Sequence, residues 1–278
     1  MYNIMNRYTF IAAVLIVLSL LGCTLYMVTR SPPSSTHVTT TASTGGSVVV
    51  HQVWIHPQWT SSDGLHGLPE RYHAPVQSWR AVYGDQGHRV YDRTECRRVF
   101  STVFPQHVQT YDNLHSDVER ADLARYAIMY AYGGFYADID TTLMRPIRPF
   151  VDDLNMHVSI EIRQSDGMHG YVQYAFGSPA NPPALSDIVA EVVWRTQSAP
   201  PATHQHPDAR ILWSTGPMGF STAINRRLHN HHRPNIVVHR EGVFGAYKSG
   251  DLFRSTAYIK HHFDGSWKRS WGDNDRDW

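Results

Sequence analysis

Residues 48–278 read as an α/β fold with a mainly parallel sheet, because short β-branched runs alternate with helix-forming segments along that stretch. Hydrophobic residues make up 42% of the 278-residue chain and aromatic residues 12%, a composition that fills a packed core. Gly and Pro punctuate the pattern, as at Gly133-Gly134 and Pro182-Pro183. Val48-Val49-Val50 is a buried strand by composition and runs into His51-Gln52-Val53-Trp54. Residues 71–83 read as a helix, 89–91 as a strand and 95–104 as a helix. Residues 119–132 are good helix formers with Leu123, Ala127, Met129 and Tyr130 near one stripe, and Gly133 ends them in the usual C-terminal way. Residues 134–137 fit a strand. Residues 158–162 and 171–176 alternate like strands, and 183–196 fit a helix with Pro near its start. The sequence shows no internal repeat.

Three segments precede this domain. Residues 1–9 are a short tail, and residues 10–28 are uncharged and almost wholly apolar. At 1.5 Å per residue these 19 residues nearly span the hydrocarbon core of a bilayer. An uncleaved transmembrane signal anchor is the preferred reading, because no small-x-small cleavage site follows. A cleaved signal peptide, or a lipoprotein signal ending at Leu20-Leu21-Gly22-Cys23, are the alternatives. Residues 29–47 are rich in Ser, Thr, Pro and Gly without apolar periodicity, the composition of a flexible stem.

Composition also excludes. Lys and Arg number 25 against 24 Asp and Glu, so there is no basic excess for a nucleic-acid partner. The two cysteines, Cys23 and Cys96, form neither a disulfide framework nor a zinc motif. His229, His231 and His232 sit in a His/Asn/Arg run without cysteine or carboxylate at ligand spacing, which reads as a solvated loop. No Asn-x-Ser/Thr sequon occurs.

Chemistry concentrates in residues 119–146, ERADLARYAIMYAYGGFYADIDTTLMRP. Asp138 and Asp140 stand one residue apart after the Gly-Gly break. In an extended segment residues i and i+2 share a side, so both carboxylates can face one ion. Hard divalent cations prefer such oxygen ligands, and a cation held there neutralises a departing diphosphate. Asp122 and Arg125, spaced i and i+3, are neighbours on the preceding helix. They read either as an exposed ion pair worth a few tenths of a kcal/mol or as a pair aimed at the carboxylates that grips sugar hydroxyls.

This block resembles the sugar-binding Asp-x-Asp region of glycosyltransferase family 32 and of the related glucosylating toxins. The shared pattern is Asp122, Arg125 and Tyr126, then Gly133, Gly134, Tyr136, Asp138 and Asp140. ADIDTTLMRPI is especially similar to the fungal initiating α-1,6-mannosyltransferases. Other elements add to the likeness. His51-Gln52-Val53-Trp54 resembles the family's first-strand His-x-x-Trp, and Thr215-Gly216-Pro217 resembles a turn near the donor. His261-His262-Phe263-Asp264-Gly265-Ser266-Trp267 resembles the C-terminal His-x-x-x-Gly-Ser-Trp, and also the His-Phe-x-Gly of glycogenin-like enzymes.

The resemblance implies a GT-A (Rossmann-like) nucleotide-sugar transferase fold and a retaining, metal-dependent hexosyl transfer. Asp138 and Asp140 would be the catalytic metal carboxylates, with Mn²⁺, or Mg²⁺, completed by His261 or His262. Asp122, Arg125 and Tyr136 would hold the donor sugar, Trp54 its base, Thr215 and Gly216 the nearby turn, and Trp267 would close over the diphosphate. GDP-mannose is expected before a UDP-sugar, with a glycan or glycolipid as acceptor. The expected setting is a single-pass type II membrane protein of the Golgi or another secretory-pathway compartment. The competing readings are a UDP-dependent glucosyl, galactosyl or N-acetylglucosaminyl transferase and a non-catalytic, membrane-tethered carbohydrate-binding protein. A metal phosphohydrolase with Asp138 as nucleophile is disfavoured, because Gly-Gly-x-Tyr precedes that Asp and no Lys or Thr loop of the expected kind lies nearby.

Overall fold

A computed structural model describes residues 50–151, 154–200, 207–230, 235–245 and 256–264. All lie in the second of two compact units, Gly46–Trp278. The apolar segment 10–28, the stem 29–47, His231, His232 and Trp267 lie outside the described residues. Among the described residues no helix is long and apolar enough to cross a membrane.

The first half is the expected alternation. Strand β1 (Val50–Val53) leads to helix α1 (His73–Gly87), β2 (His88–Tyr91), α2 (Arg93–Val103) and a short α3 (Val108–Asp112). Helix α4 (Asp117–Tyr132) follows, then β3 (Gly134–Ala137) with the bounds read from the sequence. The helix begins two residues before the expected start because Ser116 and Glu119 form a capping box. Nor does it show one apolar stripe: Leu123, Ala124, Tyr126, Ala127, Ile128 and Met129 are all fully buried, because α4 is enclosed between α2, the sheet and a later helix.

The second half departs from the expected parallel sheet. After β4 (Thr141–Leu143) come β5 (Met156–Ile162), β6 (Gly170–Tyr171) and β7 (Ala175–Ser178). Helices α5 (Pro183–Gln197), α6 (Pro207–Ser214) and α7 (Pro217–Asn230) follow, then β8 (Ile236–His239) and β9 (Ile259–His261). The main sheet runs β2-β1-β3-β7-β5-β6, with β8 also on β5. β1 is parallel to β2 and β3, and β5 to β8, but β7 is antiparallel to both β3 and β5. The sheet is therefore mixed. Parallel return needs a crossover of a dozen or more residues, and the loop between β5 and β6 is far shorter, so the chain folds back antiparallel. The strand read at 171–176 is correspondingly split, and the break turns Gln173 and Tyr174 toward the cleft described below.

Side chains alternate across β3. Tyr136 enters the cluster formed with α2, α4, α5 and α7, while Phe135 and Ala137 enter a second cluster with Val50, Trp79, Phe150, Phe244 and Ile259. The β3 carboxyl end thus emerges between two packed layers. A separate two-stranded ribbon, β4 with β9, lies there, pairing Thr141 with His261 and Leu143 with Ile259.

Candidate active site

The Asp-x-Asp segment is a turn, not the extended strand expected. The Asp138 carbonyl accepts Thr141 N–H (3.1 Å), Thr141 Oγ1–H (2.6 Å) and Gln52 Nε2–H (2.9 Å). Ile139, between the carboxylates, is buried against Trp59, Leu68, Tyr72 and Val76, which turns both Asp side chains the other way. The β4–β9 pairing then delivers the C-terminal motif. His262 N–H donates to the Asp140 carbonyl (3.0 Å), and His261 Nε2–H to Asp140 Oδ1 (3.1 Å). Asp138, Asp140 and His261 each offer a ligand atom within 4.8 Å of one another.

His262 points elsewhere: its ring meets Thr142 Oγ1 at 2.8 Å on the exposed side of the ribbon. This follows from the alternation of side chains along β9, which gives the cleft to His261 alone. Two carboxylates and an imidazole suit a cation of borderline character such as Mn²⁺, so the residues present fit the implied metal. Burial pushes the Asp140 carboxyl up, but the His261 hydrogen bond and charge and the Asp264 N–H outweigh it and hold it below the usual carboxylate range. Asp138 goes the other way. Its burial outweighs the nearby Arg125, and its carboxyl is raised.

Asp122 and Arg125 form a buried ion pair at 2.8 Å, not an exposed helix pair. Arg125 also reaches Asp138 Oδ1 (3.3 Å) and the Gln173 carbonyl (3.3 Å), with its guanidinium 4.9 Å from the Tyr136 ring centre. Burial pushes the Asp122 carboxyl up to about 6, more than the one guanidinium beside it offsets. Burial opposes the Arg125 charge too, yet two carboxylates, Asp138 foremost, raise its pKa. Arg125 thus bridges Asp122 to Asp138. Tyr136 Oη–H donates to Asp138 Oδ1 at 2.7 Å.

These groups border a cleft of about 1230 Å³ whose wall also includes Trp54, Gly216, Glu161 and Asp264. Trp54 lies over Tyr72, ring centres 5.0 Å apart, at the end of β1. Thr215 is not on the cleft wall. It is fully buried and donates to Asp122 Oδ2 at 2.7 Å, so it holds Asp122 from behind while Gly216 reaches the cleft. Among the described residues four buried side-chain polar atoms lack a hydrogen-bond partner, and three of them belong to cleft residues: Trp54 Nε1, Arg125 Nε and His261 Nδ1. A buried group left unpaired costs about 1–3 kcal/mol, so these three cleft residues keep unmet hydrogen-bonding capacity.

Two contributions were not foreseen. His88 Nε2–H donates to Gln52 Oε1 (2.7 Å) and so aims the Gln52 amide at the Asp138 carbonyl. Nothing local in the sequence signals this, since the pair is made by two adjacent parallel strands. Glu161, near the end of β5, lines the cleft with no hydrogen-bond or ion-pair partner among the described residues, its carboxyl raised by burial. The alternation at residues 158–162 was the available signal, and it gives a strand without saying which residue faces a cleft.

Asp138, Asp140 and His261 thus form one group beyond the end of β3, on a cleft that Trp54 also lines. Residues 49–161 match the family model described as a glycosyltransferase sugar-binding region containing a DXD motif. Relatives sharpen the likeness to fungal mannosyltransferases. The chain is 25% identical over 167 residues to inositol phosphoceramide mannosyltransferase 3 of Schizosaccharomyces pombe, an alignment covering 60% of this chain and 43% of that protein. It is 26% identical over 163 residues to the initiation-specific alpha-1,6-mannosyltransferase of Candida albicans, covering 57% of this chain and 40% of the relative. The chain therefore spans less than half the length of these two curated relatives. Among solved structures, the PaToxG glycosyltransferase aligns with a TM-score of 0.44 at 14% identity, covering 66% of this chain and 70% of that one.

Proposed function

We propose that this protein is a metal-dependent, retaining glycosyltransferase of GT-A type that transfers a hexose, mannose from GDP-mannose, to a glycan or glycolipid. The observation that carries the reading is the Asp138, Asp140 and His261 group beyond the end of β3, whose two aspartates lie inside the matched sugar-binding region. These three residues would hold Mn²⁺, which when bound supplies charge compensation for the departing diphosphate. Arg125, with a free Nε–H and a fixed place between Asp122 and Asp138, orients the sugar hydroxyls. Trp54 offers a broad face to the nucleobase. Glu161 supplies a carboxylate to a hydroxyl in the cleft.

Mannose as the transferred sugar is supported by the names of the fungal relatives and by ADIDTTLMRPI. Retention comes from the family resemblance, and a front-face ion-pair route requires no protein nucleophile. A membrane anchor at residues 10–28 and a Golgi or other secretory setting complete the proposal. The test is Mn²⁺-dependent thermal stabilisation by GDP-mannose, UDP-glucose, UDP-galactose and UDP-N-acetylglucosamine in parallel. GDP-mannose should raise the melting temperature most. Stabilisation by a UDP-sugar alone overturns the donor assignment, and stabilisation by none of the four overturns the transferase reading.

A further inference from the structure

The residue that follows the His261 strand is tied to both walls of the cleft. The backbone N–H of Asp264 donates to Asp140 Oδ2 at 3.0 Å. Its carboxylate accepts from Tyr72 Oη–H at 2.5 Å and from Arg71 Nε–H at 3.0 Å. Tyr72 is 2% exposed, in contact with Trp54, whereas the Arg71 side chain is half exposed. Solvent screening weakens the Arg71 arm, so the less exposed Tyr72 bond is the stronger anchor.

Two features show that this anchor is needed. The β4–β9 ribbon is only three residues long on each strand; Ile259 and Leu143 pack into the second cluster, but among the described residues no strand pairing holds the chain beyond His261. Beyond it Phe263 stands at φ 53°, a left-handed conformation that a bulky side chain adopts only when its surroundings impose it. Phe263 is also packed on the His261 ring, with centres 4.1 Å apart. Releasing Asp264 would let Phe263 relax and carry His261 away from the carboxylates.

We propose that Asp264, fastened by Tyr72, is a positioning residue that locks the His261 strand over the Asp138–Asp140 turn and so sets the affinity for the divalent cation. It also joins the tryptophan wall to the metal end of the cleft. The proposal rests on the metal-site reading above and goes beyond it by naming what assembles the site.

The experiment titrates the full chain with Mn²⁺ alone and reads free Mn²⁺ by electron paramagnetic resonance, with melting curves as the folding control. Outer partners of metal ligands typically change metal affinity by about 10–100-fold. Asp264→Ala should weaken Mn²⁺ binding within that range while melting close to the parent, and Asp264→Asn, which can still accept from Tyr72, should recover part of the loss. Tyr72→Phe removes a single hydroxyl and should weaken binding in the same direction. If Asp264→Ala fails to fold, Tyr72→Phe decides. Mn²⁺ affinity within about twofold of the parent in the folded variants, below the usual effect of an outer partner, overturns the proposal. A parent chain that binds no Mn²⁺ removes the metal reading itself and the latch with it.

Discussion

Asp122 is where sequence spacing and packing diverge most. Spacing of i and i+3 fits an exposed helix pair, which contributes a few tenths of a kcal/mol. In the fold both Asp122 and Arg125 are nearly inaccessible, and Thr215 occupies the other Asp122 oxygen. Removing one partner of a buried pair typically costs about 3–5 kcal/mol. Asp122→Ala should therefore lower stability by about 3 kcal/mol, and Asp122→Asn, which retains an acceptor for Thr215, by less. Both should lose sugar-nucleotide turnover, since Arg125 then loses one of its two carboxylate partners. Urea unfolding beside turnover per folded molecule checks this, and a loss of only tenths in Asp122→Ala would contradict the burial argument. The meeting of Asp138 and Asp140 with a C-terminal histidine was legible because motifs carried both ends. Choosing His261 over His262 required the β9 register, which no single sequence encodes.

At the scale of elements, the α4-to-β3 junction controls where the carboxylates emerge. Gly133 stands at φ 66° and ψ −162°, a region open essentially to glycine, and a Cβ there would lie 2.6 Å from the Ala180 nitrogen. Its carbonyl accepts from the buried His51 Nε2–H at 2.9 Å. Gly133→Ala should cost at least about 1–3 kcal/mol from backbone strain alone, displace β3, and reduce metal binding with it. A variant that melts like the parent would show that the junction tolerates a side chain. The helix, the glycine stop and β3 could be read from the sequence because propensity, pattern and punctuation agree there. The antiparallel β7 could not, since its direction follows from a loop length and a partner strand distant in sequence. β4 and β9 are three residues each, too short for alternation to register.

For the whole molecule, buried imidazoles tie stability to pH. Burial, with Arg80 nearby, lowers the His88 pKa from 6.5 to about 3, and burial lowers His51 to about 4. Both are neutral in the fold, so between about pH 3 and 6.5 the unfolded chain binds more protons at His88, and its contribution to stability is lost as pH falls through that window. Asp122, raised to about 6, acts in the opposite sense, so the clean measurement is a difference. Subtracting the His88→Gln stability profile from the parent's should leave a slope of up to about 1.4 kcal/mol per pH unit, positive with rising pH and flat above 6.5; a flat difference throughout would mean that His88 is not held neutral. Under the proposed function, one metal-centred cleft assembled from both ends of the domain turns over a nucleotide sugar. Release of GDP from GDP-mannose by the full chain tests it most directly, measured with Mn²⁺, with EDTA, and in Asp140→Ala. Release should require Mn²⁺, stop in EDTA and vanish in Asp140→Ala. Release that persists in EDTA or in Asp140→Ala would contradict the account.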